Sequence, residues 1–102
     1  GVLCPAATNN IEIGLNGLIN DSVPHVFSVA VKGTGTGAAS YASIGLVISE
    51  PASSGAAPAL VVATVGNGLA FTSVSGTPGN YTLNLNNGIA AQTVIVTITV
   101  IL

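Results

Sequence analysis

Side chains able to move a proton, attack a carbonyl or hold a metal are few in this chain and far apart. They are Cys4, Glu12, Asp21, His25, Lys32 and Glu50, with no arginine and no second cysteine or histidine. A metal centre needs several convergent ligands, and His25 follows Pro24 with no ligand-spaced neighbour. Glu12 and Glu50 could act as an acid–base pair only beside a nucleophile and a substrate-positioning base, and neither accompanies them. Lys32 precedes a Gly-Thr-Gly-Thr-Gly run, whereas a phosphate loop places its lysine after the glycines and before a helix. The sequence therefore points away from an enzyme: no catalytic residue, no metal site and no cofactor are expected. With Lys32 the lone strong base, a groove tracking nucleic-acid phosphates is excluded as well.

Two features could carry a modification. Asn20-Asp21-Ser22 and Asn80-Tyr81-Thr82 are sequons without proline, acceptors for N-linked glycans where they reach the surface. Cys4 cannot form an intrachain disulfide. An intermolecular disulfide or a lipid anchor stays open, but three residues precede it, and a buried thiol is the reading favoured here.

The totals are unusual. Four side chains of 102 carry charge, for a formal net charge of -2, while 49% of residues are apolar. Mean hydropathy is +0.78, yet no apolar run approaches the roughly 18–20 residues of a spanning helix, so membrane insertion is not expected. One domain fits the length. The outer surface must be mostly Ser, Thr, Asn, Gly and Ala, which suits a glycan coat or an assembly. Gly1 is not a start residue, and the chain reads as a mature product with its leader removed. Acid unfolding acts mainly through carboxylates stabilised in ionised form. With three acidic side chains, stability is expected to be nearly flat from neutral to strongly acidic pH.

Short β-branched runs separated by glycine, proline and asparagine organise the rest. Residues 92–102 read Gln-Thr-Val-Ile-Val-Thr-Ile-Thr-Val-Ile-Leu. Extended, they put Val94, Val96, Ile98 and Val100 on one face, the strongest strand signal in the chain. Alternation at Ile11, Ile13 and Leu15, at Phe27, Val29 and Val31, at Ile44, Leu46 and Ile48, and at Tyr81, Leu83 and Leu85 predicts further strands. A weaker one covers 69–74, and the apolar run 60–65 suits a buried strand. Residues 1–10 show no regular pattern. Turns are expected at Asn16-Gly17, in the loops 33–37 and 51–58, at Gly66-Asn67-Gly68 and at Ser75-Gly76-Thr77-Pro78-Gly79. About seven short strands at this spacing predict an all-β, Ig-like β-sandwich, with no confident helix.

Asn87-Gly88 reads as a two-residue hairpin turn. It would set Tyr81 against Val94 and Gln92 against Leu83, a polar misfit in a core row. Residues 95–102 would then overhang their partner. A bare apolar edge strand is a pairing template that proteins normally cover.

Gly68-Leu69-Ala70-Phe71, Ser75-Gly76-Thr77-Pro78-Gly79-Asn80-Tyr81-Thr82-Leu83 and the final Val/Thr strand resemble the C-terminal half of prokaryotic Ig-like extracellular domains. In size, lack of charge and apolar last strand the whole chain is similar to archaeal extracellular filament subunits of the thread and bundling-pilus type. That resemblance implies a secreted, glycosylated β-sandwich that polymerises with itself by donor-strand complementation. Applied to this chain, residues 1–24 supply a donor strand and connector, with Ile11, Ile13, Leu15 and Leu18 as plugs. Residues 25–102 form the body, with Val94, Val96, Ile98 and Val100 lining the acceptor groove. The expected function is an extracellular filament subunit serving adhesion or cell contact. An Ig-like adhesive module of a larger cell-surface protein and a viral capsid or decoration protein remain the alternatives.

Overall fold

The alternation of residues 92–100 does make a strand, but its partners are not the ones that the neighbouring turn suggests. The computed structural model describes residues 1–34, 42–64 and 68–102. The expected loop over 35–37, the turn at 66–67 and the end of the 60–65 run lie outside the described residues. Among the described residues there are eight strands: β1 (Val2–Cys4), β2 (Thr8–Asn16), β3 (His25–Gly33), β4 (Ala42–Ser49), β5 (Ala59–Thr64), β6 (Leu69–Thr77), β7 (Asn80–Asn87) and β8 (Gln92–Val100). A single 3₁₀ turn at Ala52–Ser54 is the one helical element among the described residues, and no described helix is long and apolar enough to cross a membrane.

The strands form two antiparallel sheets, in the orders β1-β8-β3-β4-β5 and β2-β7-β6. The fold is all-β, as expected, with one strand more than the sequence suggested. β1 is the addition. It pairs Val2, Leu3 and Cys4 with Val94, Thr93 and Gln92, and three residues are too few to show a period. β5 was expected to be buried, but its Val61 is exposed, because β5 is the outermost strand of its sheet.

The hairpin through Asn87-Gly88 does not form. β7 pairs with β2 and β6, while β8 crosses to the other sheet and pairs with β1 and β3. Val94 lies beside Gly33 and Val2, not Tyr81, and Gln92 lies beside Cys4. The side chain of Asn87 explains the departure. It is fully buried, and its amide donates to the carbonyls of Cys4 (3.0 Å), Pro5 (3.0 Å) and Ala90 (3.2 Å). Its oxygen accepts from the Ile89 N–H at 3.1 Å. These bonds turn the chain out of one sheet and into the other. Gly68 assists: its carbonyl accepts from the Gly88 N–H at 2.8 Å, and its φ of +85° brings its α-carbon so close to Ile89 that a β-carbon would overlap that side chain.

Between the sheets lies one core of alternating strand residues: Ile11, Ile13 and Leu15 from β2, Val29 and Val31 from β3, Val47, Leu69, Phe71, Tyr81, Leu83, Leu85 and Val94. The Tyr81 hydroxyl, brought inside by the alternation of β7, is satisfied by Ser49 Oγ at 2.8 Å. Both sequence-predicted functional strands, β2 and β8, thus contribute to this core from opposite sheets.

Replacing Asn87 by alanine leaves three carbonyls and one N–H without their partner. Each unsatisfied buried group costs about 1–3 kcal/mol, part of which water recovers at the half-buried ones. We expect N87A to lose roughly 3 kcal/mol of unfolding free energy, read as a lower urea midpoint at unchanged slope.

Candidate functional site

The site that the structure offers is a place where the second layer is missing. Sheet β2-β7-β6 crosses the five-stranded sheet on the diagonal. At one end of β7, Tyr81 reaches Ser49 at the end of β4. At the other end Asn87 reaches Cys4 on β1. Three strands laid at such an angle over five leave a corner uncovered, and that corner is the second half of β8.

Exposure along β8 follows this geometry. On its inward row Gln92 and Val94 are buried and Val96 is half-buried, whereas Ile98 is 36% and Val100 49% exposed. On β3, directly beside them in register, Phe27 and Val29 are fully buried. On the outward row Ile95 and Ile101 are exposed as well, alternating with exposed Thr97 and Thr99, so both faces of the corner are uncharged. No charged residue lies in 92–102.

The edge of β8 is open too. β1 covers it only at 92–94, and among the described residues nothing pairs with it beyond. Its direction can be read from the backbone. The Thr93 carbonyl accepts from Thr34 at 3.0 Å and the Ile101 N–H donates to Val26 at 2.8 Å, so odd-numbered residues point their amides at β3. In an antiparallel strand the alternate residues point the other way. Val96, Ile98 and Val100 therefore present three N–H and three C=O groups at the free edge.

Of the donor plugs, Ile11, Ile13 and Leu15 are buried and Leu18 packs against the core. β2 occupies the outer position of its sheet, paired with β7 from Ile11↔Leu85 to Asn16↔Asn80 and, among the described residues, with no strand on its other side. Val94 belongs to the same core as the plugs and Val96 packs against it. Ile98 and Val100 lie past its margin. Asn20 and Asn80 are both exposed. They are brought to one end of the sandwich because Gly79 bonds Gly17 (2.9 Å) and sits against Asn20. Sequence reasoning placed them 60 residues apart with no signal that they meet.

Cys4 is buried in the core, and burial pushes its thiol above its ordinary value; it is an inert group here. Gln92 beside it is buried with both amide atoms unpartnered. No three His, Cys, Asp or Glu side chains cluster among the described residues. Comparison with protein-family models, with curated proteins and with solved structures finds no match to this chain.

His25 ties the end of β8 to the connector. Its Nε2 lies 2.9 Å from Asp21 Oδ1 and its Nδ1 3.1 Å from the Leu102 oxygen. A neutral imidazole can donate to only one of these and the imidazolium donates to both. The bond to Asp21, then that to Leu102, therefore raises the His25 pKa above 6.5. Asp21 is held below 3.8 by the Val23 N–H and by His25. A raised histidine stabilises the fold below its unfolded value and loses that contribution as pH rises through the folded one. The lowered Asp21 contributes above 3.8 and is lost in acid. The clasp is thus complete from about pH 4 to pH 6.5. Proton NMR should show His25 titrating above 6.5 and D21N returning it toward that value. The melting temperature should stay nearly level down to pH 3, because Asp21 is exposed.

Proposed function

We propose that this chain is a structural subunit of an extracellular filament, polymerised head-to-tail by exchange of β2. In each contact β2 leaves its own body and lies beside β7 of the next copy. Ile11, Ile13 and Leu15 enter that core and Leu18 follows at its margin. The observation that carries this reading is the way β2 is held. It is an edge strand bound by a single ladder to β7, followed by the connector 17–24, yet it brings three fully committed core side chains. An identical strand from another copy satisfies the same ladder and the same core. Main-chain bonds along the edge and alternate side chains in pockets are how an added strand binds. Donor and acceptor are different surfaces, so the contact propagates rather than closes. Residues 25–102 retain six strands, and without β2 the second sheet is reduced to β7 and β6 with one edge of β7 unpaired.

The near-absence of charge fits an exterior covered by neighbours and sugar. Asn20 and Asn80 are adjacent acceptors at one pole, and neither side-chain amide makes a hydrogen bond within the chain among the described residues. Extracellular placement, adhesion and glycosylation belong to the same reading. Peptides carrying Asn20 and Asn80 from protein isolated from its own source should show added glycan mass at these positions; both asparagines unmodified would remove the glycans from this picture.

Glu12 on β2 lies in register with Asn84 on β7, and both side chains point outward. In a C4S background, oxidised E12C/N84C should run on a denaturing gel as a ladder of covalent multimers if β2 is exchanged. A monomer band alone would mean that the strand stays home, as expected of an adhesive module in a larger protein. Electron microscopy of the same material should show filaments.

A further inference from the structure

We infer that the open edge of β8 is a second self-association site, at which two copies pair antiparallel about a two-fold axis through Ile98. This goes beyond strand exchange, since it uses another strand, another sheet and another symmetry. β1 blocks the edge at 92–94, so the window available to a partner is 95–101. That window is palindromic in chemistry. Centred on Ile98, it sets Val96 against Val100 of the other copy on the inward row, and Ile98 against itself. On the outward row it sets Ile95 against Ile101 and Thr97 against Thr99. Every pair joins like with like among β-branched residues, the combinations that stabilise cross-strand contacts.

The hydrogen bonds close under the same operation. Val96, Ile98 and Val100 are the residues whose amides face outward, and centring on Ile98 makes them hydrogen-bonded pairs. All six free N–H groups find the six free C=O groups. Centring on Thr97 would put Val100 against Val94, which already bonds β1. Centring on Thr99 would leave Val96 opposite Leu102, beyond the strand.

Charge points to a second copy rather than to an unlike partner. A two-fold contact opposes any charge to its own image, and residues 92–102 hold none. Of the terminal strands, β1 is only three residues long and the edges of the other three are guarded. β2 has a bulge between Thr8 and Ile11, left-handed Asn10 and exposed Glu12. β6 has a bulge between Phe71 and Ser73, and Pro58 immediately precedes β5. Bulges, charges and proline are the usual devices against edge pairing, and β8 from Ile95 onward has none. An edge of about 24 Å for seven residues buries less than the roughly 1,200–2,000 Å² of a standard interface. The pair is accordingly weak in dilute solution and accumulates when copies are concentrated or tethered in rows.

Cysteine trapping in a C4S background tests this at high protein concentration. I98C places two thiols on the axis, whereas T97C, equally close to the edge, faces Thr99 of the other copy. Cross-linking needs α-carbons within about 7 Å, so I98C should form covalent dimers at least tenfold faster than T97C. V96C and V100C should cross-link with each other when mixed and not with themselves, a test that leaves Ile98 in place. Both results together support the pairing. Equal rates for I98C and T97C, self-linked V96C, or no dimer from any variant would overturn it. The products stop at dimers, whereas exchange of β2 gives ladders, so the two contacts fail or succeed separately.

Discussion

Three strands cannot cover five, and the rest of this molecule is arranged around that shortfall. The diagonal set by Tyr81–Ser49 at one end and Asn87–Cys4 at the other decides which part of the large sheet goes without a partner layer. Had β7 run parallel to β8, the inward row from Gln92 to Val100 would share one burial. Instead it passes from buried to half-exposed within one strand. Phe27 and Val29 stay dry one strand away, so the boundary is a margin of the core and not a general looseness.

Asn87 holds the diagonal. A buried side-chain amide whose donors and acceptor are matched to nearby backbone is worth most where no apolar residue could replace it. Here it satisfies carbonyls at the β1–β2 corner and the backbone of the β7–β8 crossover at once. That ties the beginning of the chain to the end of β7, 83 residues away for the Cys4 bond. Gln92, next along the crossover, shows the opposite case. It is buried with its amide unpartnered, a cost carried beside the short β1–β8 ladder.

Alternation made most strands readable from the sequence: β2, β3, β7 and β8 carry period-two β-branched or aliphatic residues on the row that starts or stays in the core, whereas β4 forms where expected with its apolar row Ile44, Leu46 and Ile48 on the outer face and Ser43, Gly45, Val47 and Ser49 turned inward. Pairing was not readable, because it is set by contacts across the whole chain. Asn87-Gly88 has the composition of a hairpin turn, but the asparagine spends its side chain on residues 4 and 5, and nothing local announces that. β1 is too short to show a period. β5 looked buried because its run is uninterrupted, yet burial depends on position in the sheet and the edge strand lost one neighbour. Apolar residues 95–102 did stand out as lacking a partner. The hairpin that would leave them overhanging does not form; β3 pairs one side of the strand, and the free side is the other.

The symmetry of each contact decides what assemblies are possible. In the proposed exchange β2 is the donor and the β7 edge it leaves is the acceptor, two different surfaces, so the contact is heterologous and can run on as an open chain. The window 95–101 is its own complement, so it is isologous and ends at two. Neither alone makes more than a thread or a dimer. Acting on the same subunit, the two proposed contacts would join threads side by side, with each weak edge pair held beside many others. The strength of such a seam comes from repetition rather than area, which is why a small, uncharged corner can suffice where an isolated interface of that size would not.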